Sequence, residues 1–171
     1  MRLKRENDIL RFTFKPVEVH LLREVLRQIA ESYRLKPDEM DPQTADAWYS
    51  KRGCLSAKMS EDETSEWLAH LHALKGDQLP RLEAWSRQIR ESNPDQSVVL
   101  TVRTDDAPAF MTAINDHRLM AAARHDIGQQ EMDIQSPLQL TQLSAERQMA
   151  MLEIHFLALI LEETLRALQE S

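Results

Sequence analysis

Three glycines, Gly53, Gly76 and Gly128, have to serve every tight turn in a chain of 171 residues. Folds made of many hairpins, and loops that cradle phosphates, consume glycine at left-handed or closely approached backbone positions. A helical fold needs far less of it. Neither the dinucleotide-binding fingerprint nor the P-loop can be written with these three residues, so nucleotide binding through such loops is excluded. With 42% apolar and 29% charged residues, the chain has the composition of an ordinary globular protein. A domain of this size buries roughly two-thirds of its unfolded surface. The expected fold is mainly α: a compact single-domain helical bundle over residues 1–171, with a small two-stranded antiparallel β ribbon, about 9–15 with 98–103.

Residues 8–15 place Ile9, Leu10, Phe12 and Phe14 in the pattern of a half-buried strand, and Pro16 closes it. From Val17 to Tyr33, Leu21, Leu22, Val25, Leu26 and Ile29 recur at helical spacing. Two prolines and three acids in residues 35–43 predict a turn leading into a short helix at 44–49. Ser60 with Glu63 forms a capping box for a helix carrying Trp67, Leu71 and Leu74 inward. Gly76 and Pro80 then leave two alternatives for residues 61–91, one bent helix or two. Val98 to Val102 is the second strand, and a further helix runs from Asp106 to about Asp126, with Gly128 at its stop. After loop-like residues 129–143, Ser144 caps a C-terminal helix with apolar residues on two arcs, Met149, Leu152, Phe156 and Ile160 on one and Ile154, Leu157, Leu161, Leu165 and Leu168 on the other. This helix is expected to be buried on most sides, as a central post. Trp48, Trp67 and Trp85 read as core or helix-contact residues rather than stacking platforms.

A formal charge of -7 argues against nucleic-acid and anionic-membrane partners, which require clustered cations. The local basic spots, Arg2, Lys4 and Arg5 and then Lys51 and Arg52, read as solvated surface. The N-terminus lacks a secretory apolar core, and the run from Met149 to Leu161 is interrupted by Glu153 and His155 and too short to span a bilayer. The expected location is the cytoplasm, which suits a chain with one cysteine, Cys54, and no internal disulfide.

Polar residues carry information where burial should exclude them, because an unpaired buried polar group costs about 1–3 kcal/mol. Asn115, Asp116, His117 and Arg118 stand in the middle of an otherwise Ala-, Met- and Ile-rich helix. Asn and Asp are poor mid-helix residues, so packing or function must favour them there. On the C-terminal helix, Gln148, His155, Glu162 and Arg166 fall within about 40° of one another. That stripe is either the solvent edge of the helix or part of a buried network with the Asn115–Arg118 cluster. No metal site is expected: His70 and His72 point to opposite sides of their helix, and His117 and His125 are two turns apart. No serine has the glycines of a nucleophile elbow. Cys54 follows Lys51 and Arg52, which would lower its pKa if exposed, making it a candidate redox residue whose disulfide partner is another molecule.

The run Ala113-Ile114-Asn115-Asp116-His117-Arg118-Leu119, followed by an apolar terminal helix ending Glu162-Glu163-Thr164-Leu165-Arg166-Ala167-Leu168, resembles a bacterial domain-of-unknown-function family, number two thousand and seventeen. The order of elements is also similar over most of the chain. At Met120 to Ala123 the helix continues where glycine closely follows the Arg-Leu pair in actinobacterial members. In many actinobacteria the family's genes lie beside that of the Clp protease adaptor, so the resemblance implies a regulatory or proteostasis role without enzyme activity. The leading expectation is a non-enzymatic, adaptor-like regulatory protein, binding another protein or forming a homodimer, with no cofactor. The alternatives are a small enzyme or ligand-binding domain with a polar pocket between the last two long helices, and a thiol sensor using Cys54.

Overall fold

In the computed structural model, which describes residues 1–49, 59–93, 95–128, 131, 141 and 143–170 and only the backbone of 43, 44, 46 and 47, the chain opens with a hairpin. Strand β1 (Arg2–Glu6) turns through Asn7, at φ 55°, into β2 (Ile9–Phe14). Asparagine tolerates this left-handed conformation at small cost. Strand β3 (Val98–Arg103) pairs antiparallel on the other side of β2, with Ile9 opposite Arg103 and Phe14 opposite Val98. The expected pairing is present, but the expected ribbon of two strands is a sheet of three in the order β1-β2-β3. Four of the five β1 residues are charged, so the strand shows no apolar alternation; Leu3 alone lies beside Phe12 on the inner face.

That inner face is the floor of the core. Leu10, Phe12, Phe14, Leu100 and Val102 are fully or almost fully buried, alternating with exposed or half-buried residues as the two-residue period of a strand requires. Helix α1 (Pro16–Ser32) starts one residue after the sheet ends, with Pro16 in the first turn where its missing N–H costs nothing. The Lys15 amide donates to Glu18 Oε2 at 2.8 Å. A single 3-10 turn (Pro37–Glu39) precedes α2 (Pro42–Tyr49). Helix α3 (Glu61–Gly76) begins at the expected box: Ser60 Oγ accepts from the Glu63 amide at 3.3 Å, and Glu63 Oε2 accepts from the Ser60 amide at 2.7 Å.

Residues 61–91 resolve into two helices, with α4 (Leu79–Arg90) following α3 after Asp77 and Gln78, both of which keep right-handed helical dihedrals. Pro80 sits in the first turn of α4, where it breaks no helical bond. Helix α4 covers the open edge of β3. The Gln88 side chain donates to the Thr101 carbonyl at 3.1 Å and accepts from the Thr101 amide at 2.9 Å, so its amide group takes the place of a neighbouring strand there.

Helix α5 (Ala107–Arg124) follows a 3-10 turn at Thr104–Asp106. It ends in a Schellman arrangement in which Ile127 donates to the Ala122 carbonyl at 2.8 Å and Asp126 to the Ala123 carbonyl at 3.2 Å. Asp126, at φ 49°, takes the left-handed position, so the stop is two residues earlier than the expected Gly128. Helix α6 (Ala145–Gln169) is capped by Ser144, whose Oγ accepts from the Arg147 amide at 3.3 Å. It packs lengthwise on α5, where Ala121, Ala122, Ala150, Met151 and Ile154 form a second small core.

Helix α6 is not the central post. It buries one face, with Ala150, Met151, Ile154, Leu157, Ile160 and Thr164, and leaves Met149, Leu152, Leu159 and Leu165 exposed. Helix α5 occupies the middle instead, touching α1, α2, α6 and β3. Apolar residues on both arcs of α6 could not show which arc meets the body.

Phe110 of α5 joins sheet to helices: its ring lies 5.3 Å from that of Phe12 and 5.2 Å, edge-on, from that of Trp85. It is fully buried. Phe110→Ala is expected to cost about 3–5 kcal/mol, from lost transfer energy and the cavity left behind. Urea denaturation should show a lower midpoint at an unchanged slope.

Candidate functional site

Asp116 lies in the middle of α5, where its side chain, 18% exposed, reaches the ends of two other elements. Its Oδ2 accepts from Lys75 Nζ of α3 at 2.5 Å and from the Tyr33 hydroxyl, at the C-cap of α1, at 3.0 Å. The Lys75 ammonium, 14% exposed, stands 4.2 Å from the ring centroid of Trp48 on α2 and 5.2 Å from that of Tyr33. The two rings meet edge to face at 5.3 Å. Four helices thus converge on one cation held by two aromatic faces and a carboxylate. Each contact is of a kind that strengthens as water is excluded.

The electrostatics follow from burial. Desolvation first, then the Asp116 charge and the hydrogen bond given to it, push the Tyr33 hydroxyl far above the ordinary tyrosine value of 10.0. Burial likewise raises Tyr49, whose hydroxyl donates to the Leu35 carbonyl at 3.4 Å. Tyr33 is therefore a fixed donor at neutral pH, and Asp116 a fixed acceptor with a cation already beside it. Both of these contacts are made to Asp116 Oδ2 by the protein itself.

His117, the next residue, faces the opposite way. It is 1% exposed, and its Nε2 lies 2.6 Å from Glu153 Oε1 of α6, while Nδ1 has no partner among the described residues. The pair pins α5 to α6 through a residue that interrupts an apolar run. Arg118 is half-buried with an unpartnered Nε, and Asn115 is half-buried.

The structure does not merge the two groups of polar residues expected from the sequence. Glu162 and Arg166 are exposed, and Arg166 pairs with Glu163 at 2.6 Å. Gln148 donates to the Leu143 carbonyl at 2.8 Å, and His155 is half-buried. Cys54, with Lys51 and Arg52, lies outside the described residues. Clefts among the described residues lie against β1, between α1 and α4, and beside the 3-10 turn at Pro37–Glu39. Among the described residues there is no grouping of three or more metal-ligating side chains, and no helix is long and apolar enough to cross a membrane.

Residues 1–168 match the family described as a domain of unknown function, DUF2017. The chain belongs to DUF2017. No curated relative and no solved structure matches it.

In this DUF2017 chain the residues that complete the Asp116 site, Tyr33, Trp48 and Lys75, come from three segments distant in sequence. A half-buried mid-helix aspartate calls for a cation, but its position within the sequence does not say which. Glu153 was the more legible partner, as a lone acid inside an apolar helical run.

Removing one member of such a pair strands the other charge. Asp116→Ala is expected to cost about 3–5 kcal/mol, measured by chemical denaturation. The alkaline limb of stability supplies a second check. Below pH 10 Tyr33 is protonated in both states; above it the unfolded chain loses the proton and the folded chain keeps it. Stability should therefore fall with rising pH above about 10, and the fall should be shallower in Tyr33→Phe.

Proposed function

We propose that this DUF2017 chain is a non-enzymatic, adaptor-like regulatory protein of the cytoplasm that works by docking another protein onto the outer face of α6. The observation that carries this reading is the exposure of Met149, Leu152 and Leu159, at 64%, 54% and 40%, on a helix of 25 residues. Their spacing of three and seven residues sets them along one side, with half-buried Phe156 between them. Contiguous exposed apolar residues cost solubility unless something covers them, and stripes at this spacing are what helix-in-groove partners engage.

Beside the stripe, Gln148, His155, Glu162 and Arg166 form its polar border, the arrangement of a contact surface with an apolar centre and a wet rim. This gives the polar stripe a role without a catalytic pocket. The contacts that Asp116 makes with Lys75 and Tyr33 tie helices together, as a structural brace does. The Clp-type proteolysis machinery is the candidate partner, on the strength of the resemblance; a second copy of the chain is the alternative occupant of the same face.

Affinity capture from the native cell, with and without the protease components, tests this alongside Leu152→Asp/Leu159→Asp. Both substituted residues are exposed, so the fold should survive with a change within about 0.5 kcal/mol. The wild type should retain the protease partner and the variant lose it; sedimentation of the two forms reads self-association in the same way. Turnover of a metabolite that disappears in folded Asp116 or Arg118 variants would overturn the reading.

A further inference from the structure

A cleft of about 410 Å³ between α1 and α4 collects five arginines from a chain whose net charge is -7. Arg23, Arg27 and Arg34 come from α1 and the residues just after it; Arg87 and Arg90 come from α4. Against these five stand three carboxylates, Glu31 and Glu83 in the lining and Glu24 on Arg27 beside it. The spacing explains the convergence. Positions 23, 27, 30 and 34 fall on one stripe at helical intervals, as do 83, 86, 87 and 90, and the packing of α1 on α4 brings the stripes face to face.

Several donors in the cleft are unspent. The guanidinium groups of Arg87 and Arg90 have no hydrogen-bond or ion-pair partner among the described residues. Ser86 and Arg23 both line the cleft, and Ser86 Oγ and Arg23 Nε are buried without a partner among the described residues. A buried donor left unpaired costs about 1–3 kcal/mol, which a ligand with acceptor oxygens would recover. The remaining arginines are held by acids: Arg27 by Glu24 and by Glu31 at 2.5 Å, and Arg34 by Glu83 at 2.7 Å. Arg23 is anchored by donating to the Ile89 carbonyl at 3.0 Å. The guanidinium groups of Arg23, Arg27 and Arg34 are thus positioned before any ligand arrives.

We propose that this cleft binds a small, multiply charged phosphate compound. A carboxylate offers two oxygens in one plane, which a single guanidinium fork satisfies. Donors arriving from two opposed helices and a hydroxyl between them match tetrahedral groups, whose oxygens diverge, and the excess of cations over carboxylates matches a ligand with more than one negative charge. The volume suits a compact molecule. A long nucleic acid would run from this short basic cleft onto an acidic surface, which its phosphates would be repelled by.

Inorganic tripolyphosphate is the probe, followed by calorimetric titration and thermal denaturation of the full chain. Saturable binding at one site is expected. Arg87→Ala/Arg90→Ala, which alters exposed residues and should leave the fold intact, is expected to weaken it by about tenfold or more, the worth of one charge-assisted hydrogen bond. Glu83→Gln, which releases Arg34, should tighten it several-fold. The proposal fails if tripolyphosphate does no more than sodium chloride of equal ionic strength, or if binding survives the double substitution undiminished. It fails also if a penta-glutamate peptide binds as tightly with the same arginine dependence, which would assign the cleft to an acidic protein segment.

Discussion

Helix α5 is enclosed by α1, α2, α6 and β3, and most of what else is built follows from that enclosure. Its buried residues, from Ala107 and Phe110 through Ile114 and His117 to Met120 and Ala122, cover a broad arc rather than a narrow stripe. A buried polar side chain on such a helix has little water to turn to, so a partner supplied by a neighbour is worth most there. Asp116 finds Lys75 and Tyr33; His117 finds Glu153. These two pairs fix how α3 and α6 sit against the middle of the molecule, which apolar packing alone would leave free to slide.

What could be read from the sequence was what periodicity and local chemistry encode. The apolar spacing of α1, the Ser60–Glu63 box and the run of valines in β3 announce their structures within a few residues. Strand β1 did not, because its pairing with β2 is a backbone matter and its side chains are charged and solvated. The polar cluster on α5 was legible as an anomaly, but Lys75 and Trp48 were not, since an exposed-looking lysine and a core tryptophan are ordinary in any helix. The arginines between α1 and α4 escaped for a related reason: each half is an unremarkable amphipathic face, and only tertiary packing makes them one cleft.

Two surfaces of opposite character result. The outer side of α6 is apolar with a polar border, suited to a large partner that excludes water over an extended area. The cleft between α1 and α4 is cationic and small, suited to a ligand that trades one set of ion pairs for another. Both helices that frame the cleft contact α5 or the sheet beside it, and α6 rests on α5 directly.

The Gln88 clip on Thr101 bears on how this chain behaves in a crowded solution. A three-stranded sheet has two open sides, and an unsatisfied strand is a template on which any extended peptide can polymerise. By lending its carboxamide as a dummy backbone, Gln88 withdraws the Thr101 amide and carbonyl from that template. On the other side β1 carries four charged residues of its five, which makes stacking of like copies unfavourable. The chain can therefore expose apolar side chains on α6 for association while both rims of its sheet resist the indiscriminate growth that leads to fibres.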